Sequence, residues 1–190
     1  MSNVNNSKLD ITKYTTIIFD CDGVILNSNQ VKTKAFYNAV IAYGEHFANA
    51  LVEYHTNNGG ISRYKKFQYF FEEILKSPDR TEHDLPIVLK KYASEVWQGL
   101  LTCEQAFGLE TLRKMTPNSR WMVVSGGDQE ELRRLFSERN LSNLFEGGVF
   151  GSPDTKDLIL ERELSTQKAT PEKTVLIGDS RYDLEAAKRA

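Results

Sequence analysis

The sequence predicts an α/β fold, a parallel sheet with a helical module inserted after its first strand, and three observations carry that prediction. Short β-branched or aromatic runs recur at Ile17-Ile18-Phe19, Trp121 to Val124, Val149-Phe150 and Thr174 to Ile177, the composition of buried strands. Helix-period segments separate the last three runs, and strands alternating with helices predict a parallel sheet with right-handed crossovers. Between the first run and the second lie about eighty residues of helical periodicity without a convincing strand, which read as a small bundle inserted into the sheet.

Length and composition set the bounds. A chain of 190 residues suffices for one core with a modest second module. A net charge of −2 gives no electrostatic reason to expect nucleic acid or an anionic membrane as partner. No stretch approaches the ~20 apolar residues of a membrane span. The polar start, Met1 to Asp10, lacks the apolar segment of a signal peptide and reads as a frayed tail. Two cysteines, Cys21 and Cys103, are too few for a disulfide framework and fit a reducing cytoplasm. Cys21 reads as packing, its thiol pKa raised by the acids on either side.

The first strand ends in Asp20 and Asp22, one residue apart, then Gly23, which lets the backbone turn sharply. Val24 to Asn29 reads as an irregular exit. A helix is expected from near Val31, through Ala35, Phe36, Ala39 and Val40, to a stop at Gly44. Phe47, Leu51 and Tyr54 continue the period to a break at Asn57-Asn58-Gly59-Gly60. From Ser62 a helix carries Tyr64, Phe67, Phe70, Phe71 and Ile74 as an aromatic core stripe and ends near Ser77-Pro78. A last helix of the insert is expected from Pro86 to Leu100.

After Pro117 the pattern changes. The second strand, Trp121 to Val124, leads into Ser125-Gly126-Gly127 and a helix that Asp128 is placed to cap, with Glu131 as the reciprocal capping partner. Gly147 to Gly151 predicts a third strand and Asp157 to Leu164 a helix. A fourth buried strand, Thr174 to Ile177, ends at Gly178-Asp179 and is followed by a helix from Tyr182 to Arg189. The pairs Lys65-Lys66 and Arg133-Arg134 read as solvated helix faces.

In a parallel sheet the ends of all four strands lie along one edge, where open α/β sheets bind ligands. That edge collects Asp20 and Asp22, Ser125, Lys156, and Asp179 with Asp183. Carboxylates so gathered repel one another unless a cation sits among them, and hard oxygen ligands with room for water suit Mg²⁺. Ser125 with the N–H groups of Gly126 and Gly127 at a helix start makes a phosphate cradle.

These motifs resemble the haloacid dehalogenase superfamily of phosphotransferases. Phe19-Asp20-Cys21-Asp22-Gly23-Val24 is similar to its first motif, Val123-Val124-Ser125-Gly126 to its second, Lys156 to its third, and Gly178-Asp179-Ser180-Arg181-Tyr182-Asp183 to its fourth. The resemblance implies a Rossmann-like core over residues 1–27 and 108–190 and a helical C1 cap over 28–107, as in phosphoglycolate phosphatase and β-phosphoglucomutase-like members. It implies Asp20 as nucleophile, Asp22 as general acid and base, and Mg²⁺ held by Asp20, the Asp22 backbone carbonyl and Asp179, with Asp183 assisting directly or through water. Ser125, Gly126 and Lys156 would grip the phosphate. Gly59-Gly60-Ile61-Ser62-Arg63 is similar to the cap loop that closes over the active site, which makes Gly60, Ser62 and Arg63 candidates for specificity. On the residues alone, Ser62 capping a helix and Arg63 in solvent is an equal reading. His46, His55 and His83 match no motif and read as surface or packing residues.

The second acid, Asp22, favours a phosphate ester over a halogenated acid as substrate, so the expected activity is a Mg²⁺-dependent phosphatase acting on a small phosphorylated metabolite, a sugar phosphate or phosphoglycolate. A sugar phosphomutase and a non-catalytic binding module are the alternatives. Asn27 stands where relatives often carry aspartate, peripheral to the chemistry. Relatives continue beyond the fourth motif through a further strand, so a missing C-terminal strand and a bare sheet edge, open to a partner or self-association, are expected.

Overall fold

The computed structural model describes residues 9–166 and 169–190, so residues 1–8 of the expected tail lie outside the described residues. Four strands, β1 (Thr16–Phe19), β2 (Arg120–Asp128), β3 (Val149–Ser152) and β4 (Thr174–Ile177), form one parallel sheet in the order β3-β2-β1-β4. Phe19 pairs in register with Val123 on one side and Ile177 on the other, so β1 and β4 end together against the middle of β2. From β1 the chain proceeds to β2 on one side and later to β4 on the other, which makes the end of β1 a switch point where a crevice opens.

Alternation along the strands divides the core between the two faces of the sheet. Ile17, Phe19, Trp121 and Val123 face one layer, while Ile18, Met122 and Val124 face Ile159, Leu160 and Ala186 on the other. Phe19 anchors the first face, 4.6 Å from the Trp121 ring and 5.6 Å edge-on from Phe145. The buried indole N–H of Trp121 donates to Thr116 Oγ1 at 3.0 Å, which removes the penalty of an unmade hydrogen bond.

The inserted helices are α1 (Asn29–Val40), α2 (Glu45–Asn57), α3 (Arg63–Tyr69) and α4 (Thr81–Thr102). The expected aromatic stripe is core: Phe67, Phe70 and Phe71 are fully buried, and their cluster is continuous with the sheet face that carries Phe19. A single π turn, Phe70–Ile74, extends α3. Helix α4 begins five residues before Pro86, where Pro86 was expected to open it. The proline forfeits one early hydrogen bond, but Glu82 and Asp84 suit the positive end of the helix and Asp84 is tied to Arg80 and Tyr43.

Helix α5 (Leu109–Met115) was not foreseen. The remaining helices, α6 (Gln129–Glu138), α7 (Lys156–Thr166) and α8 (Arg181–Arg189), follow β2, β3 and β4 as expected. Strand β2 runs four residues beyond Val124, with a register shift against β3 between Val124 and Asp128. β4 is half-buried along its whole length, not buried as expected, because among the described residues it pairs with β1 alone. No helix among the described residues is long and apolar enough to cross a membrane.

Candidate active site

The crevice at the end of β1 is a cavity of about 780 Å³. Asp20, Asp22, Gly126, Lys156 and Asp179 line it from the sheet side, and Gly60, Arg63 and Lys66 from the inserted helices. Of the side chains predicted from the strand ends, Asp20, Asp22, Lys156 and Asp179 line this one cavity and Asp183 binds Lys156 behind it, whereas Ser125 does not line it.

Asp20 is 3% exposed. Its Oδ1 forms an ion pair with Lys156 Nζ at 2.8 Å. Burial pushes its carboxyl up to about 6; Lys156 opposes that rise, and Asp22 and Asp183 add to it. Lys156, the first residue of α7 and itself 1% exposed, also donates to Asp183 Oδ1. Burial disfavours its charge, yet Asp20 and Asp183 outweigh burial and hold the ammonium above its usual range.

One carboxylate oxygen from each of Asp20, Asp179 and Asp183 lies within 4.8 Å of the others. That set of hard oxygens fits a small divalent cation such as Mg²⁺. The Asp22 side chain is turned away from the set. Its Oδ1 accepts from Ser28 Oγ at 2.6 Å and its Oδ2 from Lys32 Nζ. Burial would raise its carboxyl, but Lys32 and Ser28 hold it below the usual carboxylate range. The carboxylate of Asp22 thus departs from the expected metal group, while its backbone carbonyl remains the atom the resemblance implied.

The fourth motif is shaped by its own cap. Ser180 Oγ and N–H donate to Asp183 Oδ2 at 2.5 and 3.0 Å, and Asp183 N–H donates back to Ser180 Oγ. This capping box opens α8 and fixes Asp183 behind Lys156. Gly23 sits at φ +72°, and a Cβ there would meet Asp179 Oδ2 at 2.0 Å; both the turn and the closeness of Asp179 require glycine. Asn29 Nδ2 donates to the same Asp179 oxygen at 3.1 Å.

Ser125 is fully buried behind the cavity wall, and its hydroxyl accepts from the Gly127 N–H at 3.1 Å. Gly126 and Gly127, not the serine side chain, line the cavity. Gly126 is also where the inserted helices touch the sheet: a Cβ there would lie 2.2 Å from the carbonyl oxygen of Gly60.

The loop before α3 divides the two readings made of it. Ser62 caps α3, its Oγ accepting from Lys65 N–H at 3.4 Å. Arg63 is neither solvated nor free for a substrate. Its guanidinium donates to Glu131 Oε2 and Oε1 at 2.9 and 2.5 Å and lies over the Tyr92 ring. Glu131 is thereby drawn from its expected capping role. Asp128 caps α6 alone, accepting from Glu131 N–H at 2.9 Å, and takes the Tyr64 hydroxyl on its other oxygen at 2.6 Å.

Sequence reasoning missed Asn29 and Lys32. Their spacing of three at the start of α1 puts both on one face, and that face points back at the end of β1. Lys66, expected on a solvated face, is 2% exposed. The His55 ring lies tilted against Phe36, 4.4 Å between centroids, and faces the cavity. Cys21 is buried packing, its thiol raised by burial first and by Asp22 second.

A family model described as haloacid dehalogenase-like hydrolase matches residues 17–190, a span that holds all four motif loops. The phosphoglycolate phosphatase of Aquifex aeolicus (strain VF5) is 25% identical over 189 residues, spanning 92% of this chain and 80% of that protein. Two solved structures share the fold. A predicted phosphoglycolate phosphatase from Haemophilus somnus superimposes with a TM-score of 0.73 at 18% identity, over 94% of this chain and 83% of that one. A β-phosphoglucomutase from Clostridium difficile superimposes with a TM-score of 0.71 at 17% identity, over 92% and 80%. With its paired aspartates, buried lysine and fourth-motif acids gathered at one switch point, the chain belongs to the haloacid dehalogenase-like hydrolase family.

Proposed function

We propose that this chain, a phosphatase of its family, hydrolyses a small phosphorylated metabolite of the sugar phosphate or phosphoglycolate type in a Mg²⁺-dependent reaction through an aspartyl-phosphate on Asp20. The observation that carries this reading is Asp20 itself, buried at the floor of the cavity, ion-paired to Lys156 at 2.8 Å, with a second carboxylate two residues on.

Asp20 attacks the phosphorus, forming a carboxylate oxygen–phosphorus bond as the ester oxygen departs. Asp22 delivers a proton to that oxygen. A phosphate dianion seated beside Asp22 opposes the effect of Lys32 and favours the protonated carboxyl. Asp22, then ionised, takes a proton from a water that attacks the phosphorus, the bond to Asp20 breaks, and inorganic phosphate leaves. Lys156 and the N–H groups around Gly126 hold the non-bridging oxygens, with Ser125 orienting that turn from behind. Asp20, Asp179, Asp183 and the Asp22 carbonyl would hold Mg²⁺, which supplies charge neutralisation for the phosphoryl group. Residues 28–107 serve as the cap, and Gly60 and Ser62 shape its closing loop.

The test is phosphate release across a panel of phosphorylated metabolites, with Mg²⁺ and with EDTA. Metal-dependent release that EDTA abolishes and added Mg²⁺ restores is the expected result. Isomer formation without phosphate would assign phosphomutase chemistry instead, and no turnover by folded protein would overturn the reading.

Closure of the cap loop gives a second expectation. A methyl group in Gly126→Ala meets backbone, not a flexible side chain, so the cap must shift outward. A displacement on that scale costs about 10- to 100-fold in kcat/KM, read by steady-state kinetics against an unchanged circular dichroism spectrum.

A further inference from the structure

Lys66 is the one charged group on this cavity wall whose burial the fold itself does not explain. Its neighbours Arg63 and Lys32 are matched by Glu131 and Asp22. Lys66 is as buried as they are, yet it forms no ion pair with a carboxylate among the described residues. Its ammonium donates to His55 Nδ1 at 2.8 Å and toward the His55 carbonyl at 3.4 Å, and it stands 5.5 Å from the centre of the Phe36 ring. Those neutral partners leave the buried ammonium without a counter-ion, a costly arrangement unless a ligand supplies one.

The place of that charge in the cavity defines what it meets. Lys66 lines the cavity with His55 and Phe36 from the inserted helices, whereas Asp20, Lys156 and Gly126 line it from the sheet side. It therefore belongs to the wall formed by the inserted helices and not to the sheet side, whose Lys156 and Gly126 turn would grip the phosphoryl group. Asp22 is the residue that would serve the leaving oxygen, so the space past it belongs to the alcohol part of the ester. The wall opposite Lys156 thus offers a cation, a neutral imidazole and an aromatic face. His55 is pushed down to about 3 by burial, with Lys66 and Lys32 adding to it, so it stays neutral and accepts from the ammonium.

We propose that Lys66, oriented by His55, forms a second anion subsite, so that the substrate is a phosphate ester whose alcohol part carries a further negative charge, a carboxylate or a second phosphate. This rests on the phosphatase reading and narrows it: plain sugar monophosphates fall outside, phosphorylated acids and bisphosphates inside. Burial and Lys32 push the Lys66 ammonium down to about 7, and an anion at the subsite reverses that by favouring the charged form. Arg63, spent on Glu131, positions α3 and so holds Lys66 in place.

The experiment compares kcat/KM for esters matched in length from two to six carbons, each with a carboxylate tail, a phosphate tail or a neutral hydroxyl tail. Wild type is expected to favour charged tails by about 30-fold or more, the scale of one buried charge pair at an interface. In Lys66→Met that ratio is expected to fall to within about threefold, while Lys66→Arg retains at least about tenfold. The carboxylate and phosphate arms decide which anion the subsite takes. A wild-type preference for neutral tails, or equal losses on charged and neutral tails in Lys66→Met, would overturn the inference while leaving the phosphatase reading intact. The wild-type preference needs no variant, so misfolding of Lys66→Met would not shield the proposal. Absence of phosphate release from every ester would overturn both.

Discussion

Asp20→Asn is expected to lower kcat/KM by on the order of 10⁴-fold or more while leaving the protein folded and at least as stable as wild type near neutral pH. The two halves of that result come from the same surroundings. The carboxylate is the attacking group, and an amide oxygen cannot form the ester bond to phosphorus. The carboxylate is also unwelcome where it stands: burial raises its pKa from 3.8 to about 6. The sign follows from that direction. The folded state binds the Asp20 proton more tightly than the unfolded chain, so this group's contribution is fully present below pH 3.8 and is lost as pH rises through about 6. An amide never ionises and avoids that loss. Urea unfolding at pH 7.5 beside a phosphate-release assay checks both halves, and a variant that is inactive because it is unfolded would contradict the account.

Lys156→Met is expected to abolish turnover and, unlike Asp20→Asn, to destabilise the fold by about 3–5 kcal/mol at neutral pH. Lys156 is the shared partner of Asp20 and Asp183, and its loss leaves both acids buried without a counter-charge. The deficit is expected to shrink as pH falls, because protonation of the acids removes the uncompensated charge. Denaturant midpoints at pH 5 and pH 8 read that difference. Combining Lys156→Met with Asp20→Asn is expected to recover part of the stability and none of the activity, the non-additivity of two groups in one network. A pH-independent deficit would mean that Lys156 acts through packing alone.

Much of this was legible because the fold and the site obey the same local rules. Ile17 to Phe19 announce a strand buried on both faces, and a strand so placed must deliver Asp20 to the sheet edge. The paired register of β1, β2 and β4 then brings in Asp179 and the Gly126 turn, and β3 beside β2 delivers Lys156. What the sequence concealed was partner choice. Asp128 and Glu131 have the spacing of a capping box, but Arg63, more than sixty residues earlier, offers Glu131 a bidentate pair that outcompetes a backbone N–H. Lys66 looks like half of a solvated pair because helical periodicity gives a face and not what packs against it. Pro86 looks like a helix start because the capping rule is local, whereas α4 is set by Asp84 reaching Arg80 and Tyr43. The Ser180 and Asp183 box forms within the motif itself, with Lys156 taking the other oxygen of Asp183.

The most direct test of the central claim is to quench the reaction within a turnover and map the phosphoryl group by mass spectrometry of the digested protein. The account predicts one added phosphoryl group on the peptide that carries Asp20, formed from substrate in the presence of Mg²⁺ and absent from Asp20→Asn. A phosphoryl group found on another residue, or its persistence in Asp20→Asn, would contradict it.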